Sequence, residues 1–163
     1  MRDRKDDRAT IIALVKQECE FRQLETQLIC SIIELESSFD TFAMRYEPEA
    51  MRVFAVEESA KINGIAEVTE RVAQKFSLGL GQVLGSTLRW LGFRDLLTSQ
   101  CDPATGIHWC CEAFEKLGHP YMALDEKIAA YNAGSVQRNP DGTFKNQKYV
   151  NTVLNYYKGK KYE

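Results

Sequence analysis

The stretch Gln27-Leu28-Ile29-Cys30-Ser31-Ile32-Ile33-Glu34-Leu35-Glu36-Ser37 decides how the chain folds. Leu28, Ile29, Ile32, Ile33 and Leu35 are apolar on more than one side of a helix, the pattern of a helix surrounded by others rather than lying on a surface. This is the expected central helix. Glu36 falls on the face shared by Ile29, Ile32 and Ile33, so a carboxylate continues an apolar stripe, whereas Glu34 lies off it.

Working outward, Ile11, Leu14, Val15 and Cys19 share one face at the three-and-four spacing and predict a first amphipathic helix. The charged start, residues 1–8, is expected to fray. Beyond the central helix, residues 40–76 mix aromatic and charged residues without clean period, punctuated by Pro48 and Gly64, and read as loops and short helices. After the glycines of Ser77-Leu78-Gly79-Leu80-Gly81-Gln82, the leucines at 84, 88 and 91 recur at helical spacing until Gly92. Asp102-Pro103 is a helix start, with a capping carboxylate and a proline at the first position. Ile107, Cys110, Cys111, Phe114 and Leu117 form its stripe, which Gly118 ends. Two further helices follow, one through Lys127 to Asn132 closed by Gly134, the other carrying Val150, Val153, Leu154 and Tyr157 on one face. A polar turn, Asn139-Pro140-Asp141-Gly142, separates them. No convincing alternating strand, solenoid repeat or low-complexity segment is visible. The expectation is an all-α fold and a single domain over residues 1–163.

Composition narrows the function classes. Of the 163 residues 44% are hydrophobic and 27% charged, an ordinary globular balance. A formal net charge of −2 gives no broad basic field, so nucleic acid is not an expected partner. The basic tail from Lys158 to Lys161 reads as a solvated chain end. No stretch approaches the roughly 18 uninterrupted apolar residues of a membrane span, and Met1 to Arg8 lacks the apolar core of a signal peptide. Five cysteines, an odd number without secretory context, are expected as free thiols. His108, Cys111 and His119 sit near Cys101 and Cys110, but helical geometry lets only His108 and Cys111 converge, and no zinc spacing is present. Neither a metal nor a cofactor is expected.

Read from the residues alone, Glu36 has two roles open to it. Facing apolar surroundings, its charged form is disfavoured and it becomes a proton donor near neutral pH. At the last turn of its helix, it can instead simply reach solvent.

A series of short segments then aligns with one family. Glu36-Ser37-Ser38-Phe39-Asp40 resembles the Glu-Ser-Gly-Phe-Asn segment of SLT-type lytic transglycosylases, and Gly79-Leu80-Gly81-Gln82 resembles their Gly-Leu-Met-Gln motif. Ala129-Ala130-Tyr131-Asn132-Ala133-Gly134 reproduces their Ala-Ala-Tyr-Asn-Ala-Gly motif, the most specific of the set. Asp102-Pro103 through Ile107 is similar to the family's Asp-Pro helix start, and Tyr149-Val150-Asn151-Thr152-Val153-Leu154 to its closing helix. All fall in the family's order and cover roughly residues 20 to 157.

The resemblance implies a lysozyme-like helical domain that cuts peptidoglycan glycan strands. It makes Glu36 the single catalytic acid, protonating the bond between N-acetylmuramic acid and N-acetylglucosamine and then, as base, helping the C6 hydroxyl close a 1,6-anhydro ring. It places Gln82 and Asn132 on the saccharides flanking the cut, and Tyr131 on Glu36 or the muramoyl substituent. Ser77 would meet an N-acetyl group or cap its loop, and Tyr149 would close the cleft wall or join the core. A second carboxylate across the cleft would favour hydrolysis instead, and Asp40 and Glu70 are the candidates, each with a structural alternative.

Two departures stand out. Gly81 replaces a methionine expected beside the sugar, which implies a wider subsite. The segment between Glu36 and Ser77 is long and resembles a phage and prophage branch, and its Arg45 would meet peptide-stem carboxylates or pair with a nearby Glu. A monomer is expected, made in the cytoplasm and reaching the periplasm or wall through a holin-like pore, a phage particle or a secretion machine. The alternatives are a goose-type hydrolytic muramidase and a non-catalytic wall-binding virion domain.

Overall fold

The computed structural model describes residues 4–162, with side chains from Arg8 onward. The expected frayed start falls on residues 1–3, outside the described residues, and on the first turn of α1, whose backbone is helical. Eight α-helices make up most of the described chain, in keeping with the all-α expectation. They are α1 (Arg4–Arg22), α2 (Thr26–Ser37), α3 (Val56–Asn63), α4 (Glu67–Ala73), α5 (Gly85–Leu91), α6 (Pro103–Leu117), α7 (Leu124–Ala133) and α8 (Gln147–Gly159). A 3-10 turn, Leu97–Cys101, leads into α6.

α2 is central because its apolar residues leave it no solvated side over most of its length. Leu28 through Ile33 are all buried, and α1 and α8 pack against it. α6 contacts α1, α5 and α7, so one core cluster runs from Ile11 in α1 to Val153 in α8. The cap read at Asp102 is present: its Oδ2 accepts from the Thr105 backbone N–H at 2.9 Å, and Pro103 occupies the first turn, where no N–H is needed. All five cysteines are free, and four of them are buried in the core.

The segment 40–76 contains two short helices, as expected, and also something the sequence pattern did not announce. β1 (Met44–Tyr46), β2 (Phe76–Leu78) and β3 (Val83–Leu84) form a small antiparallel sheet in the order β1-β2-β3, pairing Met44 with Leu78, Tyr46 with Phe76 and Leu78 with Val83. Two or three residues are too short for an alternation to be legible. Gln74, fully buried, ties this region down: its amide donates to Phe54 O and accepts from Phe54 N, both at 2.8 Å.

Glu70, a candidate second carboxylate, belongs to this scaffold instead. Arg89 reaches it through Nε at 2.7 Å and Nη2 at 3.0 Å, and both side chains are essentially inaccessible. Burial alone would raise its pKa, but the bonds from Arg89 and Gln74 outweigh burial and hold the carboxyl below its ordinary value. Asp40 is likewise a turn residue, exposed and accepting from the Phe42 N–H at 2.9 Å. Nor is the basic tail merely solvated. Lys160 Nζ and the Tyr162 hydroxyl both bond Glu34, at 2.6 and 2.7 Å.

The buried pair predicts an asymmetry. Glu70→Gln leaves Arg89 charged, because a guanidinium cannot shed its proton, whereas Arg89→Met lets Glu70 protonate. Urea denaturation should show a loss of about 3–5 kcal/mol for Glu70→Gln and a smaller one for Arg89→Met. Equal losses would count against this reading.

Candidate active site

α2 delivers Glu36 on its last turn and then stops abruptly. Ser38 and Phe39 both take left-handed backbone angles, φ 53° and 64°, and the Ser38 N–H closes on Glu34 O at 3.0 Å. Ser38 stands where the family segment carries glycine, and a left-handed non-glycine residue costs about 1–2 kcal/mol. The turn frees the helix end, so that Glu36 lines a cavity of about 720 Å³.

The remaining walls come from distant parts of the chain. β1 and the residue after it supply Arg45 and Glu47, β2 supplies Ser77, and the loop to β3 supplies Gln82. α7 supplies Tyr131 and Asn132, while α5 supplies Ser86, Thr87 and Trp90. Ser77, Gln82, Tyr131 and Asn132 therefore line one cavity with Glu36.

Tyr149 makes the closest contact with the acid. Its hydroxyl donates to Glu36 Oε1 at 2.6 Å, linking α8 to the end of α2. Burial pushes the pKa of Glu36 above its ordinary value. The Tyr149 hydrogen bond and the nearby Arg45 charge offset part of that rise, and Glu47 adds to it. Burial and the Glu36 charge in turn raise the Tyr149 phenol, so it remains a donor. The contact with Glu36, one of the two roles open to Tyr131, is thus made by Tyr149. The Tyr131 hydroxyl donates instead to Gly81 O at 2.6 Å, with Cys110 Sγ at 3.3 Å, and the ring is buried.

The loop before Gln82 is held tightly. A Cβ on Gly79, whose φ is +68°, would lie 2.2 Å from Gln100 O. A Cβ on Gly81 would lie 2.7–2.8 Å from Cys110 Cβ and Sγ and from the Tyr131 hydroxyl. Position 81 therefore faces the core, and the expectation that its missing side chain widens a subsite is overturned: there is no room for one. Gln82 uses both amide hydrogens on backbone, donating to Ala43 O and Gly79 O at 2.9 Å. Its Oε1 is what remains for a ligand, as an acceptor. Asn132 is oriented the opposite way. Asn146 Nδ2 donates to both Ala129 O and Asn132 Oδ1 at 3.0 Å, which leaves the Asn132 amide hydrogens for a ligand.

Ser77 Oγ turns toward Glu47 Oε1 at 3.4 Å, and Arg45 Nε bonds the same oxygen at 2.5 Å. Arg45 thus pairs with a neighbouring Glu, one of the two roles open to it. Glu47 is, with Glu49, a cleft carboxylate that sequence reasoning missed. Its signal was the i, i+2 spacing from Arg45, which puts both on one side of an extended chain, but only once the strand is recognised. Asn146 had no signal, since nothing in a residue preceding a helix says which amide it will orient. The histidine and cysteine candidates for metal stay apart from this site. His108 is half-exposed with Nδ1 3.0 Å from Glu18 Oε1, Cys111 is buried in the core, and His119 is exposed. Among the described residues no group of three or more His, Cys, Asp or Glu is placed to hold a metal.

Two outcomes follow. An acid at position 36 would have to be protonated to act, so activity would fall as pH rises through its pKa. Tyr149→Phe removes a donor that stabilises the carboxylate, raising that pKa. The alkaline limb of the pH–rate profile should move to higher pH while kcat drops roughly tenfold; a limb that stays put or moves down would refute the assignment. Gly81→Met, which restores the family residue, should destabilise by about 1–3 kcal/mol in a thermal melt, where an open subsite would tolerate it.

Comparison with known proteins adds one finding. The family model described as "Transglycosylase SLT domain" matches residues 13–152. No curated protein and no solved structure matches the chain. The match covers most of the chain, including α2 with Glu36, the cleft loop and α7, and the chain belongs to the SLT transglycosylase family of lysozyme-like, peptidoglycan-cleaving domains.

Proposed function

We propose that this protein is a lytic transglycosylase that cuts the β-1,4 bond between N-acetylmuramic acid and N-acetylglucosamine with Glu36 as the catalytic acid and base. The observation that carries the reading is a cleft glutamate with a raised pKa, hydrogen-bonded by the partly buried Tyr149 phenol. Protonated Glu36 gives its proton to the glycosidic oxygen as the C1–O bond breaks and positive charge grows on the muramoyl ring. The resulting carboxylate, steadied by Tyr149 and by the Arg45 charge, takes the proton of the C6 hydroxyl while that oxygen bonds to C1. No water is consumed, Glu36 ends protonated, and the two products together weigh what the substrate weighed.

The cleft amides suit acetamido sugars in complementary ways. Gln82 Oε1 accepts from an N–H, and the Asn132 amide donates to a carbonyl. Ser77 lies within the same wall, its hydroxyl shared with Glu47.

Glu47 favours a second reading. A second carboxylate lining the cavity that holds Glu36 could activate water, as in a goose-type hydrolytic muramidase. Its engagement by Arg45 and Ser77 argues for the transglycosylase. A wall-binding virion domain without activity is the remaining alternative. By its resemblance to a phage and prophage branch, the segment between Glu36 and Ser77 extends the reading to a phage or prophage enzyme, carried to the wall by a particle, a holin-like pore or a secretion machine. No helix among the described residues is long and apolar enough to cross a membrane.

Mass spectrometry of muropeptides released from purified peptidoglycan tests the proposal. Wild type should yield 1,6-anhydro ends, and Glu36→Gln should lower the rate on the order of 10³-fold. Products heavier by one water, lost in Glu47→Gln, would assign hydrolysis instead. Release by neither protein from several wall types would leave the binding domain.

A further inference from the structure

The cavity that holds Glu36 extends past its polar residues along α5. Ser86, Thr87 and Trp90 of α5 line that wall beside Val83 and Leu84 of β3, and Trp90 lies roughly 8 Å further along the helix axis than Gly85 at 1.5 Å per residue. Met51, from the segment between β1 and α3, lines the same cavity. Both side chains stand in solvent, Met51 81% and Trp90 53% exposed. Large apolar groups exposed together inside a cleft mark a place where something binds.

The second tryptophan shows what a structural one looks like here. Trp109 packs edge-on against Phe93, with ring centroids 5.2 Å apart, and is partly buried. Among the described residues the Trp90 ring stacks on no other aromatic ring, and its indole N–H meets no acceptor. Its face and its donor are both available to a ligand.

We propose that Trp90, in the cavity that Met51 also lines, is a stacking subsite for a sugar of the glycan strand remote from the bond that is cut. The ligand chemistry follows from the groups present. One face of a pyranose ring is a sheet of C–H bonds with partial positive charge, which the negative face of an indole attracts, while the ring's hydroxyls can accept from the indole N–H. The C–H face of such a ring fits a wall that carries an aromatic and a thioether. The subsite is continuous with the acid's cavity, so its occupant is the same strand. Binding at a distance from the reacting atoms steadies long strands in register, and short ones lose that contribution. The proposal rests on the peptidoglycan-cleaving reading given above.

The test uses full-length Glu36→Gln, which holds strands without cutting them, combined with Trp109→Phe so that Trp90 alone reports. Peptide-free glycan strands of two and of eight sugars, prepared from peptidoglycan, are titrated while emission and heat of binding are followed. The longer strand should shift Trp90 emission to the blue. Trp90→Ala should weaken the longer strand about tenfold and leave the disaccharide unchanged, and Trp90→Phe should retain most of the affinity. If Trp109→Phe unfolds the protein, the difference between Glu36→Gln with and without Trp90→Phe isolates the same signal. Binding of the longer strand with Trp90 emission unmoved and affinity unaffected by Trp90→Ala would overturn the subsite while leaving the enzyme reading intact. Heat of binding from no strand of either length would overturn both.

Discussion

A carboxyl group that must hold its proton near neutral pH has to leave water, yet it must still touch the space where a substrate lies. The last turn of α2 meets both demands. The helix is buried through Ile33, so the residue that follows on the same face begins in low-dielectric surroundings, and the two left-handed residues at 38 and 39 end the helix before Glu36 can be covered. Tyr149 then fixes the carboxyl by a single donated bond. Everything else in the site is arranged around that one position.

Three glutamates illustrate how the same side chain is sorted by its surroundings. Glu34 and Glu70 are also withdrawn from water, but each is met by cations and extra donors: Lys160, Tyr162 and Arg8 for the first, Arg89 and Gln74 for the second. Burial raises both, the partners outweigh it, and both stay ionised as structural anions. Glu36 has one hydroxyl donor and a guanidinium charge that makes no hydrogen bond to it, so burial prevails and its pKa rises. Glu34 and Glu70 have ionic partners bonded to them that outweigh burial, and Glu36 has none.

The groove-lining amides are prepared before any ligand arrives. Gln82 is locked by two backbone carbonyls and Asn132 by Asn146, so each presents one kind of group, an acceptor and a donor respectively. The tight contacts around Gly79 and Gly81 keep the loop against Gln100 and Cys110, which leaves Gln82 no freedom to turn. Such preorganisation avoids the ordering cost of binding.

Much of this protein was legible in one dimension. Helical periodicity named the central helix and the stripe from Ile107 to Leu117, because burial of a helix face is a local repeat, and Asp102-Pro103 named that stripe's cap. Ordered short segments pointed to the family and to Glu36. The small sheet was not legible, since strands of two or three residues carry no period. Neither were the partners: that Tyr149 rather than Tyr131 meets Glu36, that Glu70 is tied to Arg89, that Glu47 joins the cleft, and that position 81 faces the core. Each is a meeting of residues far apart in the chain, or a direction of a Cβ set by neighbouring elements. Residue type and spacing along the sequence determine which helices form, but only packing in three dimensions decides which side chains those helices bring face to face.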